Sequence, residues 1–493
     1  MAFFDLTIVA IVQFVGNEVD NFTGQIFESI NSSVQNTRYV FLCLDKDNTC
    51  KVKIYQKGQT EREIPLQGKD FYTTDRETGA LPVFFREYVL KDNGVPVQSG
   101  RYFMITIGHG AGFGIMTTAL RQNRFMEIAH NVKMGNDPDL SHLFQQLEIK
   151  MGEDINQALL FAANNFKTNN FKIKPVGAHN FKMSVNKMYN GKFNALIENY
   201  TVEQPVINYL TSFQLADIIA TEFREAQEKY QLRYTDNIPF DLIIQVNCYM
   251  QSIENGYALR NVTKYLCSTE VGFPTYGLSY KQLFEKLTEN PGIAVEAFFK
   301  TVVNSLIRQK TLQQNAPNAD NGNVALSLNS LKDYQLVYDE VSALAEQFIS
   351  GINAEINQKK LGYYIYDVRD NGPFAGMGSD AYAFLDLSNF LTDLTKGLGT
   401  PIPYPLQGNL QKVIVASDST VVGKPFTTYQ DDSPNYPRSF GIFFPRRNRI
   451  LGTDTEPMLQ DLLDYYYDNK FAVNQNWDDF VKLYLTMDMG DYV

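Results

Sequence analysis

A histidine and a cysteine each close an apolar run in this chain. Tyr102-Phe103-Met104-Ile105-Thr106-Ile107 leads into Gly108-His109-Gly110, and Phe240-Asp241-Leu242-Ile243-Ile244-Gln245-Val246-Asn247 leads into Cys248. Two buried parallel strands ending in these residues place a base and a nucleophile at one sheet edge, where open α/β sheets build their sites. The chemistry this pair supports is hydrolysis through a cysteine nucleophile, with peptide bonds as the leading substrate. A thiol attacks as the thiolate, so Cys248 needs a lowered pKa. The turn from its strand into a following helix is expected to supply this through the free N–H groups of the helix N-terminus.

Of the four histidines (109, 130, 142 and 179), only His109 follows an apolar strand. Gly110 lets the backbone bend so that an N–H faces a substrate carbonyl, as an oxyanion hole requires. A plain glycine turn or a phosphate loop are the alternatives for Gly108-His109-Gly110-Ala111-Gly112-Phe113-Gly114. That stretch lacks the Gly-Lys-Ser/Thr ending of a Walker loop and the spacing of a dinucleotide fingerprint. The order His before Cys is that of caspase-type enzymes, although Gln245-Val246-Asn247-Cys248-Tyr249 lacks their Gln-Ala-Cys-x-Gly sequence.

Strand signals over Leu6–Phe14, Tyr39–Leu44, Lys51–Tyr55 and Tyr102–Ile107, with a helical segment at Asp20–Gln35, predict a mostly parallel sheet. Thr211 with Gln214 three residues on is a capping box. It opens a helix whose Leu215, Ile218, Ile219, Phe223 and Ala226 share one face. Met250–Leu259, Ile293–Leu312 and Leu331–Lys359 read as further helices, and Lys412–Ala416 and Ser439–Phe444 as late strands. Residues 115–208, rich in Asn, Lys and Phe with weak helical signals at 139–164, read as an insertion between the His and Cys strands.

The 493 residues carry 44 basic against 55 acidic side chains, a net charge of −11 that argues against nucleic-acid binding. Four cysteines (43, 50, 248 and 267) without a paired C-x-x-C spacing exclude a disulfide scaffold and a zinc site. The run Leu6–Val15 is too short to span a membrane. No Lys or Arg precedes Arg38, so an export signal lacks its positive region and a cytoplasmic protein is expected.

At this point the chain resembles the clostripain-like cysteine peptidases. Cys248, Met250, Ser252, Glu254, Tyr257, Leu259 and Arg260 fall at the family's spacing, and Ile107-Gly108-His109-Gly110 resembles its histidine block. Thr7–Phe14 looks like its first strand, Tyr209–Ile219 like the helix before the nucleophile strand, Tyr382–Phe390 like a later helix, and Gly441–Pro445 like the end of its last strand. The resemblance implies a caspase-like α/β/α sandwich with a mostly parallel central sheet, an insertion between the His and Cys strands and a helix-rich C-terminal part. The implied division is a catalytic core over 1–310, with the insertion 115–208, and a C-terminal helical region over 324–493 whose late strands pack on the core.

By the same resemblance, His109 is the general acid/base, Cys248 the acylated nucleophile, and Gly110 and Cys248 supply the oxyanion N–H groups. Many members carry an acid two positions before the cysteine that selects Arg or Lys before the cut. Here that position is Val246. Alternate strand residues share a face, so Val246 is expected to line the substrate pocket as an apolar wall. Glu270 is the acid considered in its place, and Thr275 and Tyr276 lie in the loop that shapes this pocket in the family.

The thiol chemistry needs no cofactor. The resemblance admits calcium, for which Asp45, Asp47, Asn48, Asp431 and Asp432 offer oxygens without EF-hand spacing. The partners expected are a protein or peptide substrate and an activating protease or effector, with neither nucleic acid nor membrane. Members are often matured by a cut between the His and the Cys, so a latent zymogen is expected, with the lysine-bearing segment 115–208 either cleaved or folded over the site. The alternatives are a pseudopeptidase acting as a regulatory or binding module, and an amidase-like acyl hydrolase.

Overall fold

The computed structural model describes residues 1–13, 36–44, 49–56, 62–119, 171–175, 180–185, 201–203, 206–274, 277–313, 324–353, 358–371, 384–397, 404–428, 440–447, 466 and 476–487. The chain divides into two compact units. The first comprises Met1–Thr117, Tyr209–Thr453 and Asp464–Val493, and the second Thr118–Asn208 with Asp454–Leu463. In the second unit, strands 171–175, 180–185 and 201–203 form an antiparallel sheet. The two units divide within the inserted stretch, whereas segments on either side of residue 310 share one sheet.

Apolar runs become the central strands of the first unit. These are β1 (Ala2–Gln13), β2 (Thr37–Leu44), β3 (Cys50–Gln56), β4 (Arg62–Pro65), β5 (Lys91–Asp92) and β6 (Val95–Ile107). After a short strand β7 (His109–Gly110) and its partner β8 (Gly114–Ala119), the chain returns with β9 (Phe240–Val246), β10 (Thr263–Thr269), β11 (Ala325–Ser330) and β12 (Phe426–Thr427). The sheet order is β12-β11-β10-β9-β6-β1-β2-β3-β4. The contiguous set β10-β9-β6-β1-β2 is parallel, and antiparallel pairs flank it on both sides. The α/β architecture with mostly parallel central strands is therefore the observed one.

Both sheet faces are buried, which explains the near-continuous apolar runs. Leu6, Ile8, Ala10 and Val12 of β1, with Phe103 and Ile105 of β6 and Leu242 and Ile244 of β9, share a core with two helices. Those helices are Tyr280–Glu289, through Leu283, Phe284 and Leu287, and Val295–Gln313, through Phe298, Val302 and Leu306. Burying each such side chain contributes roughly 1.5–3 kcal/mol. On the other face, Phe223 packs its ring against Tyr102, Phe240 and Phe85. Phe223 belongs to the helix Ser212–Tyr230, whose anticipated face of Leu215, Ile218, Ile219, Phe223 and Ala226 is buried throughout. Its capping box is complete: the Gln214 N–H donates to Thr211 Oγ1 at 3.1 Å and the Thr211 N–H to Gln214 Oε1 at 2.8 Å.

Two expected elements differ. Lys412–Ala416, read as a strand, lies inside the helix Tyr404–Thr420, with Val413 buried and Val415 exposed. Its β-branched run satisfied a local propensity that packing overrode. Tyr382–Phe390, matched to a family helix, opens instead as the strand β13 (Phe384–Asp386), and the helix Leu387–Gly397 follows. β13 pairs antiparallel with β14 (Gly441–Phe443). Asp20–Gln35 and 139–164 lie outside the described residues. Among the described residues no helix is long and apolar enough to cross a membrane.

Candidate active site

The register of the two central strands brings the candidate residues together. Val246 pairs with Ile107 across β9 and β6, so the chains leading to Cys248 and His109 leave adjacent positions at the same carboxyl edge. Asn247 ties these exits. Its Oδ1 accepts from Thr106 Oγ1 at 2.6 Å, and its Nδ2 donates to the His109 carbonyl at 3.3 Å. A fully buried asparagine needs such partners. The sequence reading passed over Asn247, although an amide closing an apolar run was a usable signal.

Gly110 is required by proximity. A Cβ at this position would stand 2.8 Å from Asn247 Cβ, the Cys248 carbonyl oxygen and Met250 Sδ. Its main chain lies directly against the nucleophile turn. Gly112 combines a φ of +69° with contact against the Phe384 ring, so a side chain there meets strain and overlap together.

Of the four cysteines, Cys248 alone is not fully buried. None of the four is in a disulfide, including Cys43 and Cys50, which lie on adjacent strands. Burial pushes the Cys267 thiol far up and leaves it inert. The expected activation of Cys248 by a helix N-terminus is corrected. The next helix, Ile253–Leu259, begins beyond Cys248 and is capped by Ser252, whose Oγ accepts from the Asn255 N–H at 3.1 Å. The Phe273 N–H instead donates to Cys248 Sγ at 3.3 Å. A donor aimed at sulfur favours the thiolate over the thiol. This contact joins distant sequence segments and had no sequence signal.

A backbone ladder holds the nucleophile turn against the segment after β10. The Tyr249 N–H donates to the Val271 carbonyl at 3.1 Å, and the Gln251 N–H to the Thr269 carbonyl at 2.9 Å. Tyr249 sits at φ +61°, a left-handed conformation unusual for a side chain of this size. Buried polar side chains lock the far end of the turn. Asn255 Nδ2 donates to Gln245 Oε1 and to the Met250 carbonyl, each at 2.6 Å, and Ser212 Oγ donates to Asn255 Oδ1 at 2.6 Å. Ser252 Oγ donates to the Gly112 carbonyl and so links the Cys turn to the His loop. Glu254 is fully buried and accepts from the Phe443 N–H at 2.8 Å, and burial pushes its carboxyl up to about 7.

The remaining expected residues separate. Val246 is 7% exposed and belongs to the core cluster against which Ile107 and Cys248 pack, with Phe273 beside them. Glu270 is 4% exposed, and burial together with the neighbouring Asp386 carboxylate raises its pKa well above the ordinary range. As placed, it is a buried carboxyl beside Asp386 rather than an open acid for a substrate cation. Thr275 and Tyr276 lie outside the described residues, as do Asp45, Asp47, Asn48, Asp431, Asp432, His130, His142 and His179. Among the described residues no group of three or more His, Cys, Asp and Glu side chains is arranged to hold a metal ion.

The model of peptidase family C11, the clostripain family, matches residues 195–484. No curated protein matches the chain. Several solved structures are similar to it. One is a secreted C11 cysteine protease from Bacteroides thetaiotaomicron in complex with an irreversible peptide inhibitor, at 12% identity and TM-score 0.47, covering 97% of this chain and 99% of that one. Another is an inactive zymogen C11 protease from Parabacteroides distasonis, at 13% identity and TM-score 0.44, covering 95% of this chain and 96% of that one. The expectation of a cytoplasmic location is withdrawn, because a protease this chain resembles is described as secreted.

Proposed function

Because the chain belongs to the clostripain family of cysteine peptidases, we propose that it is an endopeptidase in which Cys248 forms a thioester and His109 is the general acid/base. The observation that carries this reading is the pairing of Ile107 with Val246, which sets the two strand exits side by side. His109 takes the Cys248 proton as sulfur attacks the scissile carbonyl carbon. The oxyanion that forms is held by the N–H groups of Gly110 and Cys248. Collapse breaks the C–N bond, and the leaving amine takes the proton from His109. Water then attacks the thioester, His109 accepts its proton, and the carboxylic acid leaves with return of the thiol.

The residue before the cut is uncharged and apolar. Support comes from Val246, Ile107 and Phe273, which make an apolar surround for Cys248, and from Glu270, which is withdrawn from solvent. A buried cation left unpaired there is strongly unfavourable. The enzyme is made latent, with activation by a cut in the segment between His109 and Cys248.

Digestion of a mixed peptide library, read by mass spectrometry, tests the reading. Wild type is expected to cut after apolar residues and Cys248→Ala not to cut. Cuts shared by both proteins, or none from wild type after limited proteolysis, reject it. Cuts after Lys or Arg reject the specificity alone. Intact masses test latency: a chain cut between residues 109 and 248 in wild type and whole in Cys248→Ala is expected, and the same mass pattern in both counts against self-cleavage.

A further inference from the structure

Glu270 stands between the two residues that hold the nucleophile turn. The Thr269 carbonyl accepts from the Gln251 N–H and the Val271 carbonyl from the Tyr249 N–H. Two residues further on, the Phe273 N–H reaches Cys248 Sγ. The Glu270 side chain is buried and hydrogen-bonds the carboxyl group of Asp386. Asp386 is itself anchored: it ends β13, pairs with Gly441 of β14, and its Oδ1 accepts from the Asn389 N–H at 2.7 Å at the start of the next helix. The neighbouring strand β14 also reaches the turn, through the Gly441 N–H to the Gln251 carbonyl at 2.8 Å. The side-chain link from Glu270 to Asp386 ties the strut itself to this ribbon.

We propose that Glu270 is a positioning residue for the nucleophile, its side chain linked to Asp386 and so fixing the Thr269–Phe273 strut that aims an N–H at Cys248 Sγ. This rests on the peptidase reading for its consequence in turnover, but the geometry of the sulfur is tested without turnover. The titratable groups facing Glu270 are Asp386 of β13 and Tyr334, at the start of the helix Tyr334–Asn353. Glu254 is also close enough to Tyr334 to act on its hydroxyl electrostatically. None of these supplies a cation to stabilise a second negative charge. Loss of the shared proton leaves two carboxylates in contact inside the protein, and the pair separates. The strut then shifts from the sulfur. Because burial and Asp386 raise the Glu270 pKa well above its ordinary value, the arrangement holds at low pH and is lost as pH rises through the ionisation of Glu270.

The test is the pH dependence of Cys248 alkylation by iodoacetamide, located by peptide mass, in wild type, Glu270→Ala and Glu270→Gln. Library cleavage is measured alongside. A glutamine keeps a donor toward Asp386 and cannot ionise. Wild type is expected to lose part of its alkylation advantage over a free thiol at alkaline pH. Glu270→Ala is expected to lose that advantage at every pH and to lower kcat about 100-fold, as an ångström-scale displacement does, with KM little changed. Glu270→Gln is expected to restore reactivity toward wild type and to extend it to higher pH. An alkaline profile in Glu270→Gln identical to wild type overturns the proposal even if Glu270→Ala fails to fold. A folded Glu270→Ala with wild-type alkylation also overturns it. Absence of cleavage by wild type with the expected alkylation pattern retains the positioning role and rejects the peptidase reading instead.

Discussion

The loop that carries His109 and the turn that carries Cys248 leave neighbouring strands of one sheet, yet they are held by different means. The His109 side is glycine-rich, and its main chain lies so close to the nucleophile turn and the Phe384 ring that Gly110 and Gly112 have no room for a Cβ. The Cys248 side is held by hydrogen bonds that its buried side chains make: Asn247, Gln251, Ser252, Glu254 and Asn255. One loop is placed by what is absent from its residues and the other by hydrogen bonds its residues make. Steric placement fails when any atom is added. Hydrogen-bonded placement fails when one partner is removed and its mate is left buried and unpaired.

The largest effect distinguishing these sides concerns the chemistry itself. His109→Ala removes the proposed proton carrier, so kcat/KM is expected to fall by about 10²–10⁴-fold in a folded variant. A wild-type rate in this variant would move the base elsewhere. Gly110→Ala adds one carbon between the loops. It is expected to lower kcat by about 100-fold, and peptide turnover by the folded variant at the wild-type rate would show that the loops can part without cost.

On the other side, Asn255→Ala orphans Gln245 Oε1, the Met250 carbonyl and Ser212 Oγ together. A loss of about 3 kcal/mol in urea unfolding is expected, and a change below about 0.5 kcal/mol would mean that the network does not hold the turn. An effect of similar size is a pH dependence. Burial raises Glu254 to about 7 from an ordinary value of 4.5, so the folded state binds its proton more tightly than the unfolded chain. Stability is then greatest below the unfolded value and declines as pH rises through about 7, by about 3 kcal/mol in all. Glu254→Gln keeps the acceptor for the Phe443 N–H and is expected to flatten that decline. Equal slopes of stability against pH from 5 to 8 in the two proteins would remove Glu254 as its cause.

Strand ends were legible because a fully buried parallel strand must be apolar along its whole length. The runs before His109 and Cys248 therefore announced both their burial and their exits. The capping box at Thr211 and Gln214 was legible because its two hydrogen bonds close within four residues. Lys412–Ala416 was misread for the converse reason: five residues of β-branched composition do not reveal the helix face they join. The expected dipole at Cys248 failed similarly, since the helix starts only after the turn that Ser252 caps.

The sequence by itself determined which apolar runs become buried strands, where the helix before the nucleophile strand is capped, and which of the cysteines ends a strand. These follow from local periodicity and from the chemistry of single residues. Only the tertiary structure decided that Ile107 faces Val246, that the Phe273 N–H meets Cys248 Sγ, and that Glu270 is buried against Asp386 rather than open to a substrate. Each of these joins residues far apart in the chain. Their energies depend on desolvation and on partners brought in by folding, which no local pattern encodes.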